Sequence, residues 1–442
     1  MENKKSFGLW SAVFLGIGSM VGAGIFIVIG QAGAIAGNLV TLSFLIAGII
    51  AILCGYSLSK LAITFPSRGG IIEYLTQSYK EGFFSGSLGV LFYLAQLVAL
   101  AAVAKSFGTY ANTYIGQVTP FWTNIFALGI LAFFVGINLL GASFIAKSEN
   151  IIVIIKLSAL TLFTIAGLFF IHPQNLLPSD APNIINVFFS LGLTFFAFQG
   201  FSVITNSVED MQNPQKNMIK SMIIAILIVA ALYISVSIAV FGNLSLDEVI
   251  KTKDFALAEA AKPVFGELGF KIISATALFA TASAINATLY AVTQISYTLA
   301  KEGHLPEVYE RNVFNNTEGL IISAILIVPM ILFFNLGEIA TIAAVIVLLI
   351  QGFTHVGHLF VIKKTKANLF LIILAIIGTF GAASFAIYYT QKQINHFGFY
   401  IVMGYVLAFV LEVMLRLFTN RTIKRQFIQD IKNIEDDIKD RL

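Results

Sequence analysis

The sequence predicts an all-α integral membrane protein of twelve spanning helices, ten of them in two inverted repeats of five, with helices one and six broken. Three observations predict it. Of 442 residues, 58% are hydrophobic and 11% charged, where an average soluble domain is about 25% charged; the mean hydropathy is +0.88. Twelve apolar stretches can be drawn, close to the roughly 20 residues a helix needs to cross a bilayer. The first and sixth, starting at residues 9 and 184, are interrupted at equivalent places in two five-helix halves, the best sequence pointer to an inverted-repeat transporter.

Segment one (9–36) carries a glycine run at its middle. Segment two runs over 39–65. Segments three (83–115), four (121–140) and five (148–171) complete repeat one, 8–171. Segment six (184–208) is phenylalanine-rich, and segment seven (217–242) is aliphatic. Segment eight (268–300) has a polar stripe of Thr281, Ser283 and Asn286, which packing hydrogen bonds would also explain. Segments nine (319–336) and ten (337–362) nearly fuse at Asn335, Gly337 and Glu338, a tight turn, and close repeat two, 184–362. Segments eleven (368–390) and twelve (396–418) are peripheral. The twelve-helix domain is therefore 1–419. Residues 420–442 form an amphipathic cytoplasmic tail whose stripe of Ile423, Phe427, Ile431, Ile434 and Ile438 suits packing on the protein or the inner leaflet. The loop 252–266 also shows helical spacing.

Lys and Arg set the orientation. With the N-terminus in the cytoplasm, twenty fall inside and five outside (Lys251, Lys253, Lys262, Lys271, Lys392), a strong positive-inside bias. Both termini are then cytoplasmic and the location is the plasma membrane. A cleavable signal is not expected, since the run after Lys5 is long and shows no clear cleavage site. The remaining two lysines lie in the membrane. Lys105 ends an apolar run, where outward snorkelling accounts for it and a part in an outer gate is the minority reading. Lys156 is harder to explain. It is the sole ionisable residue from Ile151 to Ile171, about two turns inside the cytoplasmic end. Its insertion costs on the order of 3 kcal/mol, so the amine needs a partner, a wet cavity or a proton to exchange; snorkelling is the plainer alternative.

Segment one places Gly16, Gly18, Gly22 and Gly24 together. The spacing is not that of a dinucleotide loop and no strand precedes it. Small-residue packing through Gly18 and Gly22 is one reading. The other is an unwound helix whose free N–H groups and positive dipole end face a carboxylate. In segment six, Gln199 and Gly200 interrupt an aromatic span. No carboxylate falls near the membrane midplane, Glu412 coming nearest and reading with Arg416, one turn later, as an interfacial salt bridge, which argues against a carboxylate proton relay. His355 and His358 share a face without a third ligand, so they read as interfacial polar residues and no metal site is expected. The lone Cys54 excludes an intramolecular disulfide. Without a Ser–His–acid or Cys–His set no enzyme is expected, and without a basic aromatic tract no nucleic-acid partner.

These residues resemble the amino acid–polyamine–organocation superfamily, which has the LeuT-type fold, along nearly the whole chain. Gly18 to Phe26 resembles its first-helix signature. Phe65, Pro66, Ser67, Arg68, Gly69 and Gly70 resemble its F-P-x-x-G-G loop. Glu209, Asn213, Pro214, Lys216 and Asn217 resemble its E-x-x-x-N-P-x-K-N loop, and Lys301, Gly303, Leu305 and Pro306 the end of its eighth helix. Lys156 and Leu157, with Ile171 to Pro173, Gly242 to Leu244 and Ala261 to Pro263, are most similar to a proton-coupled, broad-specificity branch. The resemblance implies that backbone N–H groups around Gly22, Ala23, Gly24 and Ile25 bind the substrate carboxylate. It implies that carbonyls near Met20, Phe196 and Gln199, beside Gly200, take the α-ammonium. Lys156 would stand where related transporters hold a sodium ion, near the Gly18 carbonyl and Ser283. Ser202 replaces the glutamate that some exchangers carry after the helix-six glycine, which tells against mechanisms that need it.

The expected activity is secondary uptake of neutral L-amino acids coupled to protons through Lys156. The proton is the coupling ion and no other cofactor is expected. Expected partners are the amino acid and the lipid bilayer; nothing points to an obligate protein partner. An exchanger or uniporter with Lys156 as a fixed charge is the nearest alternative, separable by the pH dependence of the rate. A channel or membrane sensor is more distant, and stoichiometric counterflow would exclude a channel.

Overall fold

The computed structural model describes residues 7–22, 24–67, 69–115, 119–140, 144–176, 184–393 and 397–418, without the side chains of 144–150, 400 and 416–418. Ala23, Arg68 and the tail 420–442 lie outside the described residues.

A helix lies on each apolar segment. Segment one is two helices, Leu9–Met20 and Gly24–Ala36. Segments two to five are Val40–Thr64, Phe83–Asn112, Pro120–Leu140 and Phe144–Phe169. Segment six is Ile185–Phe189, Leu191–Ala197 and a 3-10 helix, Phe201–Ser207. Segments seven to twelve are Pro214–Asn243, Lys262–Glu302 (interrupted by a kink at Gly266, φ +65°), Glu318–Phe333, Leu336–Phe360, Leu369–Gln393 and Phe397–Phe418. Among the described residues nine helical stretches are long and apolar enough to cross a membrane, and Leu9–Met20 and Glu318–Phe333 are shorter apolar helices. The architecture is thus all-helical and membrane-embedded. A two-residue hairpin, Asn312–Val313 with Asn316–Thr317, follows segment eight.

Local chemistry sets several boundaries. Pro214 opens segment seven, where its missing N–H costs nothing. Asn335 caps segment ten by accepting from the Glu338 N–H at 2.9 Å, and Glu338 returns a bond to the Asn335 N–H; this capping box makes the tight turn read from the sequence. Ser245 and Glu248 build the same motif on the short helix Leu246–Lys251. Gly303, at φ +90°, ends segment eight, as a left-handed residue closes a helix without a Cβ clash.

Segment three is the central mast, packed against segments four, eight, nine, ten and twelve. Segment seven packs along segments one and two and so carries side chains to the break in segment one. Segments eight and seven both pack on segment five.

Three polar expectations change once these helices pack. Lys105 does not snorkel: it is 7% exposed and donates to Asn124 Oδ1 at 2.5 Å and the Ile331 carbonyl at 2.6 Å. His355 and His358 are not interfacial but wholly buried. The Nδ1 of each lies 2.8 Å from the Ser57 hydroxyl, tying segment ten to segment two. Glu412 is fully buried against His304 Nδ1, at 2.8 Å. Gly86 makes that contact possible, since a Cβ there would fall 2.5 Å from the Glu412 carboxyl carbon.

Candidate substrate and coupling site

The break in segment one leaves carbonyls at the end of the half-helix Leu9–Met20 that an unbroken helix would have used itself. The Ile17 carbonyl keeps its ordinary helical bond, from the Val21 N–H at 2.8 Å, and two of the carbonyls beyond it take side-chain donors from other segments. The Gly18 carbonyl takes the Lys156 ammonium at 2.8 Å. The Met20 carbonyl takes the Tyr233 hydroxyl, also at 2.8 Å. Lys156 is 2% exposed, so its charge sits in a low-dielectric setting on the negative end of a helix dipole, where a cation is favoured. It reaches segment one from segment five, and Val153, one turn earlier, packs on Gly18: a Cβ there would lie 3.1 Å from Val153 Cγ2.

Segment six breaks differently. Leu191–Ala197 ends in tight turns, Phe198 N–H to the Phe195 carbonyl and Gln199 N–H to the Phe196 carbonyl, both at 3.0 Å. Gly200 follows at φ +114°, a conformation that side chains rarely adopt, and a 3-10 helix continues. The Ala197 carbonyl accepts from the Tyr233 hydroxyl at 3.1 Å. One phenol therefore bridges the two breaks, with one proton to share between two carbonyls.

The two breaks also touch through their backbones. A Cβ on Gly24 would lie 2.7 Å from the Ala197 carbonyl oxygen and 3.0 Å from its Cα. A Cβ on Gly200 would lie 2.8 Å from the Ser19 carbonyl oxygen. Neither position has room for a side chain. Gly22 differs: a Cβ there would meet the Ser19 carbonyl at 3.4 Å and Ala284 at 3.5 Å, ordinary contact distances. A methyl group therefore fits at Gly22, while Gly24 and Gly200 have no room for one.

The expected site residues thus divide. Gly18 and Lys156 meet directly. Met20, Gly24, Gly200 and the backbone beside Phe196 and Gln199 gather where the breaks face each other. Ile25 is fully buried and Phe196 is 6% exposed. The Gln199 Nε2 is buried and has no hydrogen-bond partner among the described residues, a donor of the kind a bound ligand satisfies. Ser283 is half-buried on segment eight, and no hydrogen bond from it to the amine is among the described contacts. Ala23 lies outside the described residues. Tyr233 was missed by the sequence reading. Its signal was its isolation: it is the sole tyrosine in an aliphatic span, and a buried hydroxyl needs a partner.

The arrangement can bind a zwitterion. The start of the half-helix Gly24–Ala36 offers N–H groups and a positive dipole end to an anion. The ends of the preceding half-helix and of Leu191–Ala197 offer carbonyls, each with a second lone pair, to a cation.

Comparison with known proteins identifies the family. The profile of the amino acid permease family matches residues 7–422. An uncharacterized protein of Methanocaldococcus jannaschii is 37% identical over 96% of this chain and 98% of its own length. The inner membrane transport protein YbaT of Escherichia coli is 36% identical over 78% of this chain and 80% of its own. The serine/threonine exchanger SteT of Bacillus subtilis is 26% identical over 69% of this chain and 70% of its own.

Proposed function

We propose a substrate class and a coupling ion from one premise: the chain belongs to the amino acid permease family. It is a membrane transporter and not an enzyme. The proposed activity is secondary active import of neutral L-amino acids driven by protons through Lys156. The proposed frame is the LeuT-type arrangement of twelve helices in the plasma membrane, ten in a five-plus-five inverted repeat, with both termini cytoplasmic.

The observation that carries the coupling is the Lys156–Gly18 bond. It holds a buried ammonium on the helix end that borders the substrate space. While protonated, the amine ties segment five to segment one. Once deprotonated it keeps no charge for the dipole and the tie weakens. A proton bound there is a ligand with different affinity for two arrangements, and thermodynamic coupling requires that.

Substrate recognition follows from the facing breaks. The carboxylate would bind the N–H groups at Ala23, Gly24 and Ile25, and the ammonium the carbonyls of Met20, Phe196 and Gln199. Phe195, Phe198 and Phe201 are fully buried around the segment-six break, which favours an uncharged substrate side chain. The Bacillus relative named for serine and threonine exchange supports a small neutral substrate. It also keeps exchange with a fixed Lys156 charge as the second reading.

Competition against labelled alanine uptake in proteoliposomes tests the substrate class. Serine, alanine or leucine should compete at concentrations where lysine, arginine and agmatine do not. Stronger competition by the cations would overturn it.

A further inference from the structure

Residues 244–261 join segments seven and eight and carry the short helices Leu246–Lys251 and Ala256–Glu259, which pack on the second half of segment one. The approach is close, for a Cβ on Gly30 would lie 2.7 Å from the Lys253 carbonyl carbon. Next to Gly30, the 6% exposed Gln31 donates from Nε2 to Asp254 Oδ1. Its Oε1 faces the start of segment ten, where a Cβ on Gly337 would be 2.5 Å away. Asp254 is thus a loop carboxyl that folding inserts among helices.

Its charged surroundings come from three elements. Lys253 adjoins it in the loop, and Lys105 of segment three acts on it electrostatically. Tyr110 of segment three faces it as well, with its hydroxyl given to the Phe26 carbonyl at 3.1 Å. From segment ten, Glu338 acts on Lys105 while capping its own helix. Lys105 is held in place by Asn124 and the Ile331 carbonyl, so its charge is shared with those acceptors rather than delivered to Asp254 alone.

We propose that Asp254 is a second proton site of the transport cycle, taking a proton from the outer solution as residues 244–261 seat on segment one, so that acid favours closure of the outer side. This rests on the orientation and the transport activity proposed above.

Burial is the largest influence on the seated carboxyl and raises it above the ordinary carboxylate range; Lys253, the Gln31 bond and Lys105 oppose without cancelling it. With the loop lifted, the group is in water and titrates at its ordinary value. A site that binds protons more tightly when seated draws the equilibrium toward seating as pH falls through the window between the two values. Below the ordinary value both forms are protonated and the effect is complete. Gln31 suits both states: its amide Nε2 donates to a carboxylate and equally to the carbonyl oxygen that a neutral acid keeps. An arginine there would instead hold the carboxylate charged.

Electron–electron distance measurement on the full chain in liposomes tests this without substrate. Cys54 is the single cysteine and is buried, so spin labels at Lys251→Cys and Phe121→Cys report the loop against segment four. From about pH 8 to about pH 4.5 the short-distance population should rise about threefold or more. Asp254→Asn, which mimics the neutral acid, should hold that population high at every pH, and Asp254→Glu should keep the response. A distance distribution in the unsubstituted protein that ignores pH overturns the proposal, as does a full pH response in Asp254→Asn. Because no transport is measured, failure here leaves the role of Lys156 standing, and failure of Lys156 leaves this result standing.

Discussion

Lys156 and Gly18 are 138 residues apart in sequence and meet through one bond, the ammonium of one donating to the carbonyl of the other at 2.8 Å. The bond joins segment five to segment one, and it uses a carbonyl that exists as a free acceptor because segment one is broken.

Lys156→Ala should abolish accumulation driven by an imposed inward proton gradient with sodium absent, while keeping substrate binding. Uptake into proteoliposomes measures it. Gradient-driven accumulation at the unsubstituted level would remove the lysine from the coupling.

The two glycines of the first break should respond differently. Gly24→Val puts branched carbons into the Ala197 backbone and should eliminate substrate binding in a protein that still enters the membrane. Gly22→Ala meets ordinary contacts and should retain affinity within about threefold, under about 1 kcal/mol. Equilibrium binding of labelled substrate to purified protein distinguishes them; equal loss in both would mean that the breaks do not face each other as described.

Tyr233→Phe deletes the hydroxyl shared by Met20 and Ala197. Two buried carbonyls then lose a donor, at about 1–3 kcal/mol for the pair. The expected result is a lower thermal midpoint that substrate partly restores, since its ammonium supplies the missing donor. A variant as stable as the unsubstituted protein, with no added stabilisation by substrate, would refute the bridging role.

Ser57→Ala leaves the Nδ1 atoms of His355 and His358 without their shared partner. The cost should be about 1–3 kcal/mol, seen as a lower midpoint for thermal unfolding in detergent. Initial uptake rates at a temperature where both proteins are folded should change little, because the tie lies outside the substrate space. A large rate loss at unchanged stability would reverse that assignment.

The sequence by itself determined where helices lie and where two of them stop. Both are local properties: apolar length fixes a membrane helix, and the glycines at positions 16–24 and at 200 weaken it where a ligand or another backbone must approach. It also singled out Lys156, because a charge in an apolar span is costly without any knowledge of its partner. What it could not supply was partnership. Lys105 read as snorkelling because the acceptors that bury it, Asn124 and Ile331, belong to segments four and nine. Tyr233 looked like one more apolar residue until segment seven placed its hydroxyl between two breaks, 213 and 36 residues away in the chain. Asp254 lies in a loop whose sequence shows only helical spacing, and its partner Gln31 is 223 residues distant. Hydropathy is summed over neighbours in sequence, whereas the cost of a buried polar group is set by the donors and acceptors around it in space; only the tertiary packing decides which those are.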